Sequence, residues 1–331
     1  MNIVNVLGIL EEGSAKWPVV CNPDGQLRTR EELWALVAAM AAWLSHQGVQ
    51  ATHTVALRYP ANERYLITFL ALARLGATAT VSAPLTLTGS QLDVLAKRGL
   101  THTLGYDSTL HQRSVKVLST PGTIDLECAS VGTVPPIVDN PGVLRLSHSS
   151  GTTGTPKPVA LTHALQLARL KHRHSIMPFK PGQKLLVAMG LDAEVTLTYA
   201  LYAISCGAVL VFAKSSNAED LLETLLIHQP EYVLSSSHMF GSMINAFDRF
   251  DTPRPDICPN VFLAGGRIDN WLIERSRECL GARILSDYGS SETGMLALVE
   301  AESIPPNFMF AGKLLPGVES SILDPNTLKL T

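Results

Sequence analysis

Twelve consecutive residues, Leu146 to Lys157, read LSHSSGTTGTPK and gather hydroxyls, glycines and a lysine into one short stretch. Ser149, Ser150, Gly151, Thr152, Thr153, Gly154 and Thr155 are small enough for the backbone to fold around an anion, offering several N–H and O–H donors to one group. Lys157 adds a positive charge at the far lip. That donor set suits a polyphosphate. The same composition also describes an ordinary turn between strands, and the stretch by itself leaves both readings open. Counted from Gly151, a Walker loop requires glycine at 156 followed by Lys-Ser or Lys-Thr, but Pro156, Lys157 and Pro158 stand there. The dinucleotide pattern GxGxxG is absent as well.

A second stretch runs from Asp287 through Tyr288, Gly289, Ser290, Ser291, Glu292 and Thr293 to Gly294. An aromatic beside glycine can stack on a purine, while the glycine permits close approach. A hydroxyl followed by a carboxylate can hold a phosphate and a divalent metal respectively. Standing alone, the stretch reads equally as a polar turn with an exposed glutamate. It is not a nucleophile elbow, because GxSxG counted from Gly289 fails at Thr293. A third stretch, Phe262 to Ile268, ends an apolar run in Gly265, Gly266 and Arg267, leaving room for a flat ring against backbone.

These stretches need elements to hold them. Alternating apolar positions Val143, Leu144 and Leu146 predict a strand entering the first, and Pro158–Leu161 a strand leaving it. Before it, Thr29 caps a helix ending at Gly48, Thr54–Leu57 reads as a strand, and Asn62 opens a helix that stops near Gly76. Thr78–Val81 is strand-like and Ser90–Arg98 helix-like, whereas 120–141, rich in Pro and Gly, reads as a surface connection. After it, Thr162 and His163 begin a helix whose cluster Lys171, His172, Arg173 and His174 reads as a solvated helix end. The His-x-His spacing there does not share a helix face, which argues against a metal site. Strands at 184–189, 208–212, 232–235, 260–264 and 282–285 then alternate with helices at 197–204, 218–228, 238–247 and 271–280. The pattern predicts an α/β fold with two similar halves, 1–178 and 179–310, each a largely parallel sheet sandwiched by helices. Their junction is a natural ligand crevice.

Composition narrows the partners. The chain has 331 residues, 17% of them charged, and a formal net charge of -3, which gives no general attraction for nucleic acid. Its cysteines, Cys21, Cys128, Cys206, Cys258 and Cys279, are scattered without a CxxC pair, which argues for a reducing, cytoplasmic setting. Val195–Ala213 carries no charge, but Gly207 divides it into a buried helix and a buried strand rather than a membrane span. The start MNIVNVLGILEEG lacks the basic lead and cleavage site of a secretory signal.

SSGTTGTPK closely resembles the signature loop of the adenylate-forming superfamily of acyl- and aryl-CoA synthetases, peptide-synthetase adenylation domains and luciferases. Three more stretches match that superfamily in order: the glycine segment at 262–268, a YGxTE motif with Ser291 in the threonine position, and a VGxPLPG-like run at 311–319 that leads into a small β-barrel. One departure is Pro158, where the family has glycine; it stiffens the exit and removes a backbone donor.

The resemblance implies ATP-dependent activation of a small carboxylic acid to an acyl-adenylate with release of pyrophosphate. Transfer to a thiol follows, that of CoA or the phosphopantetheine of an acyl or peptidyl carrier protein. It implies that the loop and Lys157 hold the β- and γ-phosphates, Tyr288 packs on adenine, Ser291 meets the α-phosphate and Glu292 supports Mg²⁺. Asp192 falls in the region where amino-acid-activating members hold the substrate ammonium; a helix N-cap explains it equally well. Ser236, Ser237 and His238 fall where members line the acyl pocket, which favours a small polar or aromatic acid over a long fatty chain; a helix start in a loop explains the serines equally well. Residues 311–331 are expected to start the barrel, and the family's hinge and mobile C-terminal domain to lie beyond Thr331. A piece cut there is expected to bind nucleotide weakly and turn over poorly. A non-catalytic nucleotide-binding or scaffolding relative is the reading from another class.

Overall fold

The computed structural model describes residues 5–10, 12–58, 62–81, 93, 95–97, 99–105, 115–119, 121, 133–139, 142–148, 158–247, 249, 254–303, 311–324 and 327. The loop residues 149–157 therefore lie outside the described residues, as does most of the expected helix at 90–98. Strands β1 (Pro18–Cys21) and β2 (Leu27–Thr29) precede helix α2 (Arg30–His46), after a short α1 (Leu7–Leu10). Then come β3 (Thr54–Leu57), α3 (Glu63–Leu75), β4 (Thr78–Val81), β5 (Leu100–Leu104), β6 (Lys116–Leu118), β7 (Val143–His148) and β8 (Pro158–Thr162). The rest alternates: α4 (His163–Ile176), β9 (Lys184–Val187), α5 (Glu194–Ser205), β10 (Val209–Val211), α6 (Ala218–His228), β11 (Tyr232–Ser235), α7 (Ser237–Phe247), β12 (Asn260–Ala264) and α8 (Asn270–Leu280). Strands β13 (Arg283–Ser290), β14 (Gly294–Glu300) and β15 (Lys313–Leu314) close the order.

Local chemistry explains the helix ends. Thr29 accepts from the Glu32 N–H while Glu32 reaches back to the Thr29 N–H, a complete capping box. Those Thr29 donors hold the Glu32 carboxyl below its ordinary range. Asn62 accepts from the N–H groups of Arg64 and Tyr65, and Gly76 ends α3 with φ 71°.

The strands form two sheets, ordered β6-β5-β3-β4-β7-β8 and β15-β14-β13-β12-β11-β9-β10-β1-β2. Pairings are parallel except at β1/β2, β7/β8, β13/β14 and β14/β15. Sheet membership crosses the cut at 178, because β1 runs parallel to β10, with Val20 opposite Leu210. Strand residues alternate between two apolar layers, as a sheet covered on both faces requires. Leu185 and Val187 join a core shared with α2, α3, α5 and the six-stranded sheet. Leu186, Val233, Val261 and Ile284 face a second core with α6, α7 and α8.

The uncharged run at 195–213 is the buried helix α5 and strand β10, and no helix among the described residues is long and apolar enough to cross a membrane. Two expectations change. The strand expected at 282–285 continues to Ser290, because β14 pairs antiparallel with it from Leu285–Glu300 to Ser290–Gly294. The segment from 311 supplies β15 as the sheet's edge, and no closed barrel occurs among the described residues.

Candidate active site at the carboxyl ends of the strands

Registers decide which residues meet. Ser235 of β11 lies opposite Leu263 of β12, and Ala264 of β12 lies opposite Asp287 of β13. The chain leaves these three neighbouring strands, all parallel, at one end of the sheet. Ser236–His238, Gly265–Arg267 and Tyr288–Glu292 are thus brought together there, and the 190–194 segment leaves adjacent β9 at the same end. This is where ligands bind in open α/β sheets.

The exposures suit a binding surface. Tyr288 is 54% exposed, unusual for so large a ring, and sits beside the exposed Gly265 and Gly266. An added Cβ at Gly265 would meet nothing within 4 Å, so the space above it is open. Arg267 is exposed and pairs with Asp269 at 3.9 Å. Gly289 also serves the fold: a Cβ there would collide with the Gly294 carbonyl across the hairpin. Ser236 caps α7, its Oγ accepting from the Met239 N–H at 3.1 Å. The Oγ atoms of Ser235 and Ser237 are buried without a hydrogen-bond partner among the described residues. His238 is exposed.

Beneath this surface lies a charged layer that the sequence reading did not anticipate. Arg173, assigned there to a solvated helix end, is 4% exposed. Its guanidinium stacks 3.7 Å over the Tyr199 ring and pairs with Asp287 at 3.7 Å, while the Tyr199 hydroxyl donates to Asp287 at 2.9 Å. Asp287 is 7% exposed, its carboxylate engaged inward by these two groups. Burial pushes the Asp287 carboxyl above its ordinary range, with Arg173 and the Tyr199 hydroxyl pulling against it. Burial, reinforced by Asp287, drives the Tyr199 phenol well above its usual value. Burial works against the Arg173 charge, but Tyr199 and Asp287 outweigh it and the guanidinium is held above its usual value.

One turn earlier on α4, Arg169 meets Glu194 at 2.5 Å and donates to the carbonyls of Ser291 and Glu292, each at 3.0 Å. A third buried guanidinium, Arg145 of β7, donates to the carbonyls of Asp192 and Ala193. The N-cap of α5 is Ala193 rather than Asp192, with no side-chain cap bond, and Asp192 is exposed. The helix-cap explanation of Asp192 is therefore corrected: Arg145 takes its carbonyl and the chain turns one residue later. A sequence signal for the charged layer did exist. Gln166, Arg169 and Arg173 follow helical spacing among Leu167 and Leu170, on the stripe that faces α5.

Strands β7 and β8, paired antiparallel with His148 opposite Pro158, flank the hydroxyl-rich loop. Residues on both sides of the loop, Arg145 and Arg169, thus bind the segments at 192–194 and 291–292. With this geometry in place, comparison with known proteins identifies the lineage: residues 11–331 match the family described as AMP-binding enzyme. The chain belongs to that family. Among curated relatives of this AMP-binding chain, 3-aminoavenalumate diazotase from a Streptomyces species is 27% identical over 67% of the chain and 41% of its own length. The 3-hydroxybenzoate–CoA/4-hydroxybenzoate–CoA ligase of Thauera aromatica is 26% identical over 54% of the chain and 34% of its own length. The chain therefore spans less than half the length of these relatives. O-succinylbenzoate coenzyme A synthetase from Bacillus subtilis, solved with ATP and magnesium ion, superimposes with a TM-score of 0.83 at 20% identity. That match covers 99% of this chain and 68% of the other.

Proposed function

We propose that the chain carries the nucleotide-binding core of an enzyme that activates a carboxylic acid with ATP. A carboxylate oxygen attacks the α-phosphorus, the bond to the bridging oxygen breaks and pyrophosphate departs, leaving an acyl-adenylate. The observation that carries the reading is the convergence of Gly265–Arg267, Tyr288–Glu292 and 190–194 at one end of the sheet, with helix α4 reaching back from the hydroxyl-rich loop to grip the 291–292 turn.

The residues present fit the nucleotide and its metal. Tyr288 offers an exposed ring beside open glycine backbone, a platform for a purine. Glu292 is a single exposed carboxylate, and Mg²⁺ is commonly held by one or two carboxylates together with substrate phosphates. When bound, Mg²⁺ supplies charge neutralisation at the phosphates. Ser291 is assigned to the α-phosphate, and Lys157 with 149–155 to the β- and γ-phosphates, countering charge on the departing pyrophosphate. Asp287 holds the hairpin in this reading rather than touching ATP, since Arg173 and Tyr199 occupy its carboxylate.

The polar Ser236–His238 segment at this end of the sheet favours a polar or aromatic acid over a long aliphatic one, and the kinship with a hydroxybenzoate–CoA ligase points the same way. CoA is the proposed acceptor; transfer to a holo-carrier protein instead identifies an adenylation domain. Acid-dependent exchange of pyrophosphate into ATP, across a panel of hydroxybenzoates and aliphatic acids, tests the first step. In the full-length protein, Lys157→Ala and Glu292→Ala are expected to lower exchange by about a hundredfold each. Unchanged rates in both variants refute the site assignment.

A further inference from the structure

The turn that carries Ser291 and Glu292 is held from behind by a guanidinium that takes no direct part in the chemistry above. Arg169 is buried, and its Nη2 donates to the Ser291 and Glu292 carbonyls at 3.0 Å each. Those carbonyls belong to the two peptide planes that flank the Glu292 α-carbon. Fixing both planes with one rigid group fixes the direction in which the Glu292 Cα–Cβ bond leaves the backbone. The group is itself fixed. Its Nη1 lies 2.5 Å from the buried carboxylate of Glu194, which also accepts from Thr198 Oγ1 at 2.8 Å. Gln166 donates in turn to Thr198 Oγ1 at 3.1 Å. On the remaining edge, a Cβ at Gly294 would stand only 3.0 Å from Arg169 Nε, so the guanidinium lies tight against the hairpin.

We infer that Arg169, locked by Glu194, is a positioning residue that aims the Glu292 carboxylate at the divalent cation of bound ATP. The inference rests on the ATP-activating reading above and adds the device that sets the metal's geometry. It also gives Glu194, the first residue of α5, a role distinct from its neighbour Asp192. Through Arg169, the segment on the acid side of the site and the turn on the metal side form one rigid unit. Lysine keeps the charge but lacks the planar fork that reaches two carbonyls and a carboxylate together. Glutamine at 194 keeps the shape and loses the charge.

Calorimetric titration of ATP into the 331-residue chain, with EDTA and across a Mg²⁺ series, tests this for wild type, Arg169→Lys and Glu194→Gln. Thermal melting confirms that each variant is folded, and the nearly isosteric Glu194→Gln carries the test if the lysine variant is not. Because the same guanidinium also holds the Ser291 carbonyl, metal-free affinity for ATP is expected to fall by less than the metal-dependent gain does. The Mg²⁺ concentration that half-saturates the metal-dependent gain is expected to rise by about tenfold or more, as for other supports of a metal ligand. An unchanged Mg²⁺ dependence in folded variants overturns the positioning role alone. So does an equal loss of metal-free and metal-dependent affinity, which marks general loosening. No binding of ATP by the wild-type chain overturns the nucleotide-binding reading itself.

Discussion

Asp287 and Arg173 show how much of this site is decided by groups that do not face solvent. Removing one member of a buried ion pair strands the other. Asp287→Ala is expected to cost about 3–5 kcal/mol, because Arg173 then lies buried without its carboxylate. Asp287→Asn keeps an acceptor for the Tyr199 hydroxyl and is expected to cost less, about 1–3 kcal/mol. Urea denaturation of the two variants checks the order; equal losses would show that the pair adds little beyond shape. The types of the proposed nucleotide-contacting residues were legible in the sequence, since Tyr288, Ser291 and Glu292 lie close together in the chain. Arg173 was misread for the opposite reason. Its partners Tyr199 and Asp287 lie on other elements, and only their meeting in space turns a basic helix end into a covered charge.

Among elements, the β13–β14 hairpin sets the height at which Tyr288 and Glu292 are presented. Its ladder has an irregularity between Tyr288 and Gly289, and Gly289 lets the two strands cross closely. Gly289→Ala is expected to push the strands apart, lowering stability by about 1–3 kcal/mol and weakening ATP binding more than a surface substitution would. A melting curve and an ATP titration on the same variant check both effects; wild-type behaviour in each would show that the crossing has slack. The capped helices were readable from local rules, as Thr29, Asn62 and Gly76 show. The full length of β13 was not, because its last residues are strand only by virtue of β14. The 120–141 connection and the helix at 90–98 fall mostly outside the described residues.

For the whole molecule, His163 supplies a pH dependence. It is 1% exposed, its Nδ1 accepts from the Val6 N–H at 3.2 Å, and burial lowers its pKa to about 4. The unfolded chain, with an ordinary imidazole, binds a proton more readily than the fold does. The stabilising contribution is therefore complete above about pH 6.5 and is lost as the pH falls through about 4, some 3 kcal/mol in all. Thermal melts from pH 7 to 4 check this, with His163→Gln expected to flatten the slope; parallel slopes would assign the acid sensitivity elsewhere. The α/β order was plain in the sequence, but the membership of the two sheets was not, because β1 pairs with a strand far along the chain.

That early pairing governs how the molecule can be assembled. Residues 18–29 sit at the margin of a sheet whose other strands begin at residue 184. During synthesis this antiparallel pair must wait for its partner until β10 has emerged, while the six-stranded sheet between them can already condense. The nine-stranded sheet, at whose far side the proposed nucleotide surface lies, is thus completed only when β1 meets β10.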